Sequence, residues 1–413
     1  MTNTTQGALS HIKVLDLSRV LAGPWCTQML ADLGADVIKV ERPVVGDDTR
    51  HWGPPFLQDE HGNDTDQASY YAACNRNKRS VTIDMSKPEG QELIRTLALQ
   101  SDIVVENFKV GGLTQYGLDY ASLKQLNPKL IYCSITGFGQ DGPYAERAGY
   151  DLMIQAMTGM MSITGGAHGS PMRVGVAVID VFTGVYATSA ILAALEVRHR
   201  TGEGQLIDMA LLDVGMAILA NQSAGFLNTG KVPMRQGNSH PSLAPYQDFE
   251  TADGAMLLAI GNDGQFARFC EVAGHAEWAT DTRFTSNTAR VTNRVALVEL
   301  MQAVTRTRST AQWIAALEDK AVPCGPINTM DQAFADVQVR HRGLKITQPT
   351  SPQAQERTSV SAISSVASPL RLMATPPVLR NPPPALGEHT AAVLAEMGLD
   401  AAQIEALQAG KVV

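Results

Sequence analysis

The residue of this 413-residue chain that most needs a chemical explanation is Asp180. It stands between two strongly apolar runs, residues 174–179 and 181–196. An unpaired carboxylate in such surroundings loses its hydration, so it persists only where a partner or a task compensates. Two readings follow from the residues alone. Asp180 either caps the helix that follows and accepts backbone N–H bonds, or it is a working carboxylate whose anion the helix N-terminus favours. A second group is residues 235–245, Arg-Gln-Gly-Asn-Ser-His-Pro-Ser-Leu-Ala-Pro. Gly237 and Asn238 lie in a loop able to present N–H donors to an oxyanion, and His240 has the side chain of an acid, base or donor; a plain connector is the other reading. Arg76, Lys78 and Arg79 form a short basic cluster. It reads as a solvated surface or as a phosphate contact. Residues 137–142 match G-x-G-x-x-G, but Pro143 follows at once where a dinucleotide site needs a helix, so a Gly-rich turn is expected.

These groups need a scaffold, and strand–helix cycles supply one. Residues 12–17 read as a strand, Pro24 as a helix start, 25–33 as a helix closed by Gly34, and 35–40 as a second strand. The next cycle is a strand at 80–83, a capping box of Ser86 with Glu89, a helix at 91–99 and a strand at 102–105. Residues 129–135 add another strand. Residues 174–197 read as a strand end followed by a buried helix. Such repetition argues for an α/β fold with a parallel sheet. From about residue 208 the pattern changes. A buried helix at 209–219 and a Gly/Pro-rich stretch precede two strands within 248–260 joined at Asp253-Gly254. Helices at 265–272, 290–305 and 310–319 follow, then a proline-bearing tail and a helix at 390–397. A second, smaller lobe is expected here.

Composition removes several function classes. Thirty-three basic against 41 acidic residues give a net charge of −8, with no basic run, so nucleic acid is not an expected partner. The five cysteines are widely spaced without a CxxC or Cys/His pattern. Neither a disulfide framework nor a zinc site is expected, and free thiols suit a reducing cytoplasm. The first ten residues lack an apolar signal core. Residues 174–197 are long enough to span a bilayer, yet Asp180 would be stranded in lipid, so a membrane is not expected either.

Further motifs add a resemblance. Leu21-Ala22-Gly23-Pro24, residues 34–43, residues 75–80, Val105-Glu106-Asn107-Phe108, residues 134–139, Gly202-Glu203-Gly204-Gln205, Pro323-Cys324-Gly325-Pro326 and residues 386–390 occur in one collinear order. Together they resemble the class III CoA-transferases (CaiB/BaiF type) and their relatives, the α-methylacyl-CoA racemases. Residues 47–50 and 52–56 look most like the succinyl-CoA-dependent dicarboxylate members of glutarate type.

The resemblance implies a large Rossmann-like domain, a smaller α+β domain and an interlocked-ring homodimer. The expected division is 1–207, 208–330 and 331–413, the last returning to the large domain. It implies Asp180 as nucleophile, which decides between the two readings above. CoA contacts carry over to Leu21, Ala22, Arg42, Ile83, Asp84, Met85, Ser86, Asn107, Phe108, Arg147, Tyr150 and Asp151. Coenzyme A enters as substrate, with no permanent cofactor or metal. Arg50, Trp52 and Arg173 are the expected contacts of a small dicarboxylate or sulfinate acceptor. Where racemases carry histidine before aspartate, this chain has Tyr150-Asp151, and tyrosine is a poor base near neutral pH. A racemase-like isomerase and a non-catalytic CoA-binding protein are the alternatives.

Overall fold

The computed structural model describes residues 7–413. Among them, the chain divides into two compact units. One combines residues through Thr158, Val174–Ala224 and Gln338–Val413; the other holds Gly159–Arg173 and Gly225–Val337. The boundary therefore differs from the expected 208–330. Residues 208–224 stay with the large unit because Leu206–Ala210 is a strand, so the helix expected from residue 209 begins only after it.

The strands in chain order are β1 (Lys13–Asp16), β2 (Asp36–Glu41), β3 (Phe56–Gln58), β4 (Asp64–Ala68), β5 (Lys78–Thr82), β6 (Ile103–Glu106), β7 (Ile131–Thr136) and β8 (Leu206–Ala210). They continue with β9 (Tyr246–Glu250), β10 (Ala255–Ala259), β11 (Cys324–Pro326), β12 (Lys345–Pro349) and β13 (Ala362–Val366). The main sheet has the order β5-β2-β1-β6-β7-β8, and its neighbouring strands pair parallel. The chain winds outward from β1 through β2 to β5, then returns to β6, so the order reverses between β1 and β6. Ligands of such sheets bind outside the carboxyl ends of the strands at that reversal.

The long helix Val178–Thr201 carries Asp180 in its first turn. No strand precedes it: residues 174–177 are irregular, and Ala177 is the N-cap. Its length and composition suffice to cross a membrane, yet Ile179, Thr183, Gly184, Ala187, Thr188 and Ile191 are buried within the fold. Gly184 is required there, since a Cβ would come 2.8 Å from the Ala22 carbonyl oxygen and 2.9 Å from the Trp25 Cβ. The long helix thus lies directly on the helix Ala22–Asp32. The helix Pro88–Leu99 has Pro88 at its start, and its N-cap is Lys87. The expected capping box does not form, because the Ser86 hydroxyl donates to Asp84 instead (2.6 Å).

The basic cluster is an interior feature, correcting the surface reading. Lys78 has no exposed surface; its ammonium reaches Asp16 Oδ2 (3.1 Å), Asn75 Oδ1 (2.8 Å) and the Pro24 carbonyl (3.0 Å). Arg76 pairs with Asp32, and Arg79 bridges Asp36 and Glu396. Lys39, equally buried, donates to Asp47 (2.9 Å) and to the Ser18 carbonyl (2.8 Å). Apart from Asn75, the partners of the cations at 76–79 lie 43 or more residues away, so no local sequence window could pair them.

The smaller unit builds its core from Phe249, Met256, Leu258, Phe266, Phe269 and Trp313. β9 and β10 form the expected antiparallel hairpin, and β11, from the Pro-Cys-Gly-Pro motif, adds a third strand.

Candidate active site

In the large unit, the expected CoA contacts gather on one edge of the sheet. Leu21 and Ala22 follow β1, Arg42 follows β2, Ile83, Asp84, Met85 and Ser86 follow β5, and Asn107 and Phe108 follow β6. Arg147, Tyr150 and Asp151 lie in the connection after β7. All are beyond the carboxyl ends of parallel strands, around the β1/β6 reversal. Asn107 ties the two sides together: its amide accepts from the Arg19 N–H (2.9 Å) and donates to the Arg19 carbonyl (2.7 Å). Arg19 also lies over the Phe108 ring at 5.4 Å. Val20, at φ 71°, occupies a left-handed conformation unusual for a β-branched residue. Its N–H donates to both Asp47 oxygens (3.3 and 3.2 Å), so the buried Lys39–Asp47 pair fixes the turn leading to Leu21.

Asp180 is half-buried beside this edge, one helical turn before the Gly184 contact with Ala22. Burial, then the charge of Asp151, pushes its carboxyl up to about 7. The helix N-terminus does not offset this, because its amides are already engaged. Asp151 Oδ1 accepts from the Ile179 N–H (2.8 Å) and the Asp180 N–H (3.3 Å). Asp151 is thus the cap of the long helix, a role the sequence reading assigned to no residue but Asp180. Its other oxygen accepts from Gln155 Nε2 (2.6 Å), and Gln155 Oε1 accepts from the Val174 N–H (2.9 Å). Both Asp151 oxygens, expected at the CoA site, thus also make contacts within the fold. Tyr150 is 66% exposed, and Arg147 lies over the Tyr144 ring.

Two aromatic residues complete this region. Tyr70, in the short helix Ser69–Ala72, has its phenol pushed up to about 12, first by burial and then by the Asp180 carboxylate. It is a neutral donor at pH 7 and was missed in the sequence, where nothing local marks a tyrosine 110 residues from the acid it faces. Trp52, partly exposed, packs edge-on against it at 5.5 Å. Arg50 does not match its expected role. Its guanidinium is buried, doubly bonded to Glu41 (2.8 and 2.7 Å) and stacked on Tyr71 at 3.6 Å. A distal substrate anion would have to displace Glu41.

Gly237, Asn238 and His240 lie in the smaller unit, as does Arg173. The expected row of open N–H donors is largely occupied. The Gly237 N–H donates to Gly165, that of Ser239 to Gln236 and that of His240 to Tyr246. The Asn238 amide donates to Asp248 (3.0 Å). His240 Nδ1 accepts from the Ser242 N–H (3.1 Å), which places a ring proton on Nε2. Among the described residues, no His, Cys, Asp and Glu group has the arrangement of a metal site.

This geometry can be set beside known proteins. The family model described as CoA-transferase family III matches residues 9–390. The chain belongs to CoA-transferase family III. Family III relatives include a succinate–glutarate CoA-transferase of Agrobacterium fabrum, 52% identical over 94% of this chain and 95% of that protein. A human succinyl-CoA:glutarate CoA-transferase is 41% identical over 94% of this chain and 86% of that one. A crystal structure of a CAIB/BAIF family protein from Brucella suis is 50% identical, with a TM-score of 0.83, and covers 95% of this chain and all of that one. As a family III member, this chain is a CoA-transferase, and the α/β fold with its six-stranded parallel sheet is that of its solved relative.

Proposed function

We propose that this CoA-transferase moves coenzyme A from succinyl-CoA to a four- to six-carbon dicarboxylate or isosteric sulfinate, with Asp180 as nucleophile. The observation that carries the reading is an Asp180 carboxyl held near pKa 7, with Asp151 as the one charged group among the described residues that shifts it. The named activities of the glutarate-type relatives support the choice of acids. An Asp180 oxygen attacks the thioester carbonyl of succinyl-CoA; the C–S bond breaks and the thiolate departs with its electron pair. The thiolate then attacks the aspartyl carbonyl of the mixed anhydride, and succinate leaves. The resulting aspartyl-CoA thioester is attacked by the acceptor carboxylate, and the same two steps reverse onto the acceptor. The energy of the thioester is kept throughout.

Coenzyme A lies, in this reading, along Leu21, Ala22, Arg42, Ile83–Ser86, Asn107 and Phe108, with Arg147 and Tyr150 at its margin. Tyr70 and Trp52 border the acyl group. Arg173 is the cation proposed for the distal carboxylate, and Arg50 is withdrawn from that role by Glu41. Gly237, Asn238 and His240 are proposed as the oxyanion group, with His240 Nε2–H and the Asn238 backbone as donors for the tetrahedral intermediate. We also propose an interlocked homodimer in a reducing cytoplasm. Its support is the exposed apolar side chains of the long helix, Phe182, Tyr186 and Leu192, together with five unpaired cysteines.

The test is a panel of carboxylic acids assayed with succinyl-CoA, alongside Asp180→Asn. Diacids are expected to outpace monocarboxylates of equal length. The variant should bind CoA while its turnover falls on the order of 10⁴-fold. Hydroxylamine added to wild type with succinyl-CoA should modify the Asp180 peptide. Near-normal turnover of Asp180→Asn would refute the reading.

A further inference from the structure

We infer that Asp151 is the positioning residue of the reaction: it fixes the first turn of the long helix and at the same time withholds from Asp180 the amides that would stabilise its anion. The inference rests on Asp180 being the nucleophile. A carboxylate in the first turn of a helix ordinarily draws stabilisation from unsatisfied N–H groups. Here the N–H groups of Ile179 and Asp180 point at Asp151 Oδ1. Gln155 holds the other Asp151 oxygen and, through Val174, the segment of chain entering the helix. The cap is therefore itself anionic and is supplied from the helix Asp151–Met157.

The groups around Asp180 leave Asp151 in control. Tyr70 faces it from Ser69–Ala72 and stays neutral. The helix Ala22–Asp32 presents Trp25 near this end, and its acid, Asp32, sits at the other end against Arg76. The helix Leu211–Ala217 carries Asp213, which is exposed. Acylation converts Asp180 from an anion to a neutral anhydride or thioester. That step removes one of two neighbouring negative charges, so the repulsion that raises the Asp180 carboxyl also favours its covalent forms. A carboxylate of higher basicity is the stronger nucleophile as well.

Asp151→Asn keeps an oxygen for the two amides and deletes the charge. The NH₂ it introduces would face the Gln155 NH₂, so Asp151→Asn/Gln155→Glu is made in parallel; it restores acceptors for that introduced NH₂ and for the Val174 N–H while moving the charge away. The measurement is the pH dependence of kcat/KM for CoA exchange between succinate and glutarate, with hydroxylamine trapping of the Asp180 peptide. Wild type should show an acid limb near pH 7. In Asp151→Asn the limb should move down by about one pH unit, with a rate loss of up to about tenfold at pH 8 that shrinks toward pH 5.5. The trapped fraction should fall, and the double variant should lie between the two. A uniform loss at every pH, with the acid limb unmoved in both folded variants, reduces Asp151 to a structural cap and overturns the inference. If Asp180→Asn keeps its turnover, the nucleophile assignment has failed instead, which is a separate result.

Discussion

Two groups of buried or half-buried carboxylates in the large unit behave in opposite ways. Asp16, Glu41 and Asp47 lie under the sheet edge, each against a buried cation: Lys78, Arg50 and Lys39. Burial alone would raise all three, yet the cations and hydrogen bonds hold Asp16 and Glu41 below their ordinary values and Asp47 near 2. Asp180 and Glu106 have no cation, and burial carries each up to about 7. Glu106, at the end of β6, accepts from the Phe108 N–H (2.7 Å) and is held by hydrogen bonds alone. A cation separates these five carboxylates, but it does not always outweigh burial: Asp32, paired with Arg76, is still raised above its ordinary value. The chain places its cations where a turn must stay rigid and leaves them away from the acid that must react.

The sharpest way to break this contrast is to remove a cation from the first group. Lys39→Met strands Asp47 and weakens Asp16, and should destabilise the protein by about 3–5 kcal/mol in a denaturant melt. Adding Asp47→Asn should recover part of the loss; no recovery would mean that packing, not charge, is the cause. A smaller effect of opposite sign is expected from Asp180→Asn, which deletes an unpaired charge. Its Tm should exceed that of wild type at pH 8, because the folded carboxyl titrates near 7 against an ordinary 3.8. Wild type protonates Asp180 more readily folded than unfolded, so its penalty is complete above pH 7 and disappears as pH falls toward 4. The Tm gain of the variant should therefore vanish near pH 4. The smallest change is expected from Glu106→Gln, which keeps an acceptor for Phe108. It should raise Tm by a few degrees at pH 8 and not at all near pH 4.5, the ordinary value of a glutamate. In the first group the sign reverses: the stability contributed by Asp47 is present above its ordinary 3.8 and lost as pH falls through about 2.

The contrast also marks what the sequence could reveal. The strands β1, β2, β6 and β7 were legible because each carries a short apolar run bounded by helix or turn signals, whereas β5 was read two residues late, at 80–83, because it opens on Lys78 and Arg79. β8 was not, since Leu206–Ala210 runs directly into the helix Leu211–Ala217 without a breaker. Asp180 stood out as a carboxylate within an apolar run. Its dependence on Asp151, 29 residues earlier, had no local sign. The cluster of Arg76, Lys78 and Arg79 looked like a surface because its partners come from β1, β2 and the helix Ala22–Asp32. Arg50 looked available because Glu41, nine residues back, gives no hint that the loop folds onto it.

The return of residues 338–413 to the large unit sets a timetable for synthesis. β5 is an edge strand of the main sheet, and its open side is closed by the tail: Asn77 N–H to Asn381, His389 N–H to Ser80, Gly387 N–H to Ser80 Oγ and Thr82 N–H to Thr390. The partners are separated by about 300 residues. At about 5–20 residues per second, the ribosome needs roughly 15–60 s to deliver the cover after β5 has emerged. During that interval the nascent sheet presents an unpaired edge, the form in which strands recruit other chains. The interior-facing charges on this strand, Lys78 above all, then act as guards as well as anchors, because a neighbouring chain that paired there would have to bury an ammonium without its acid.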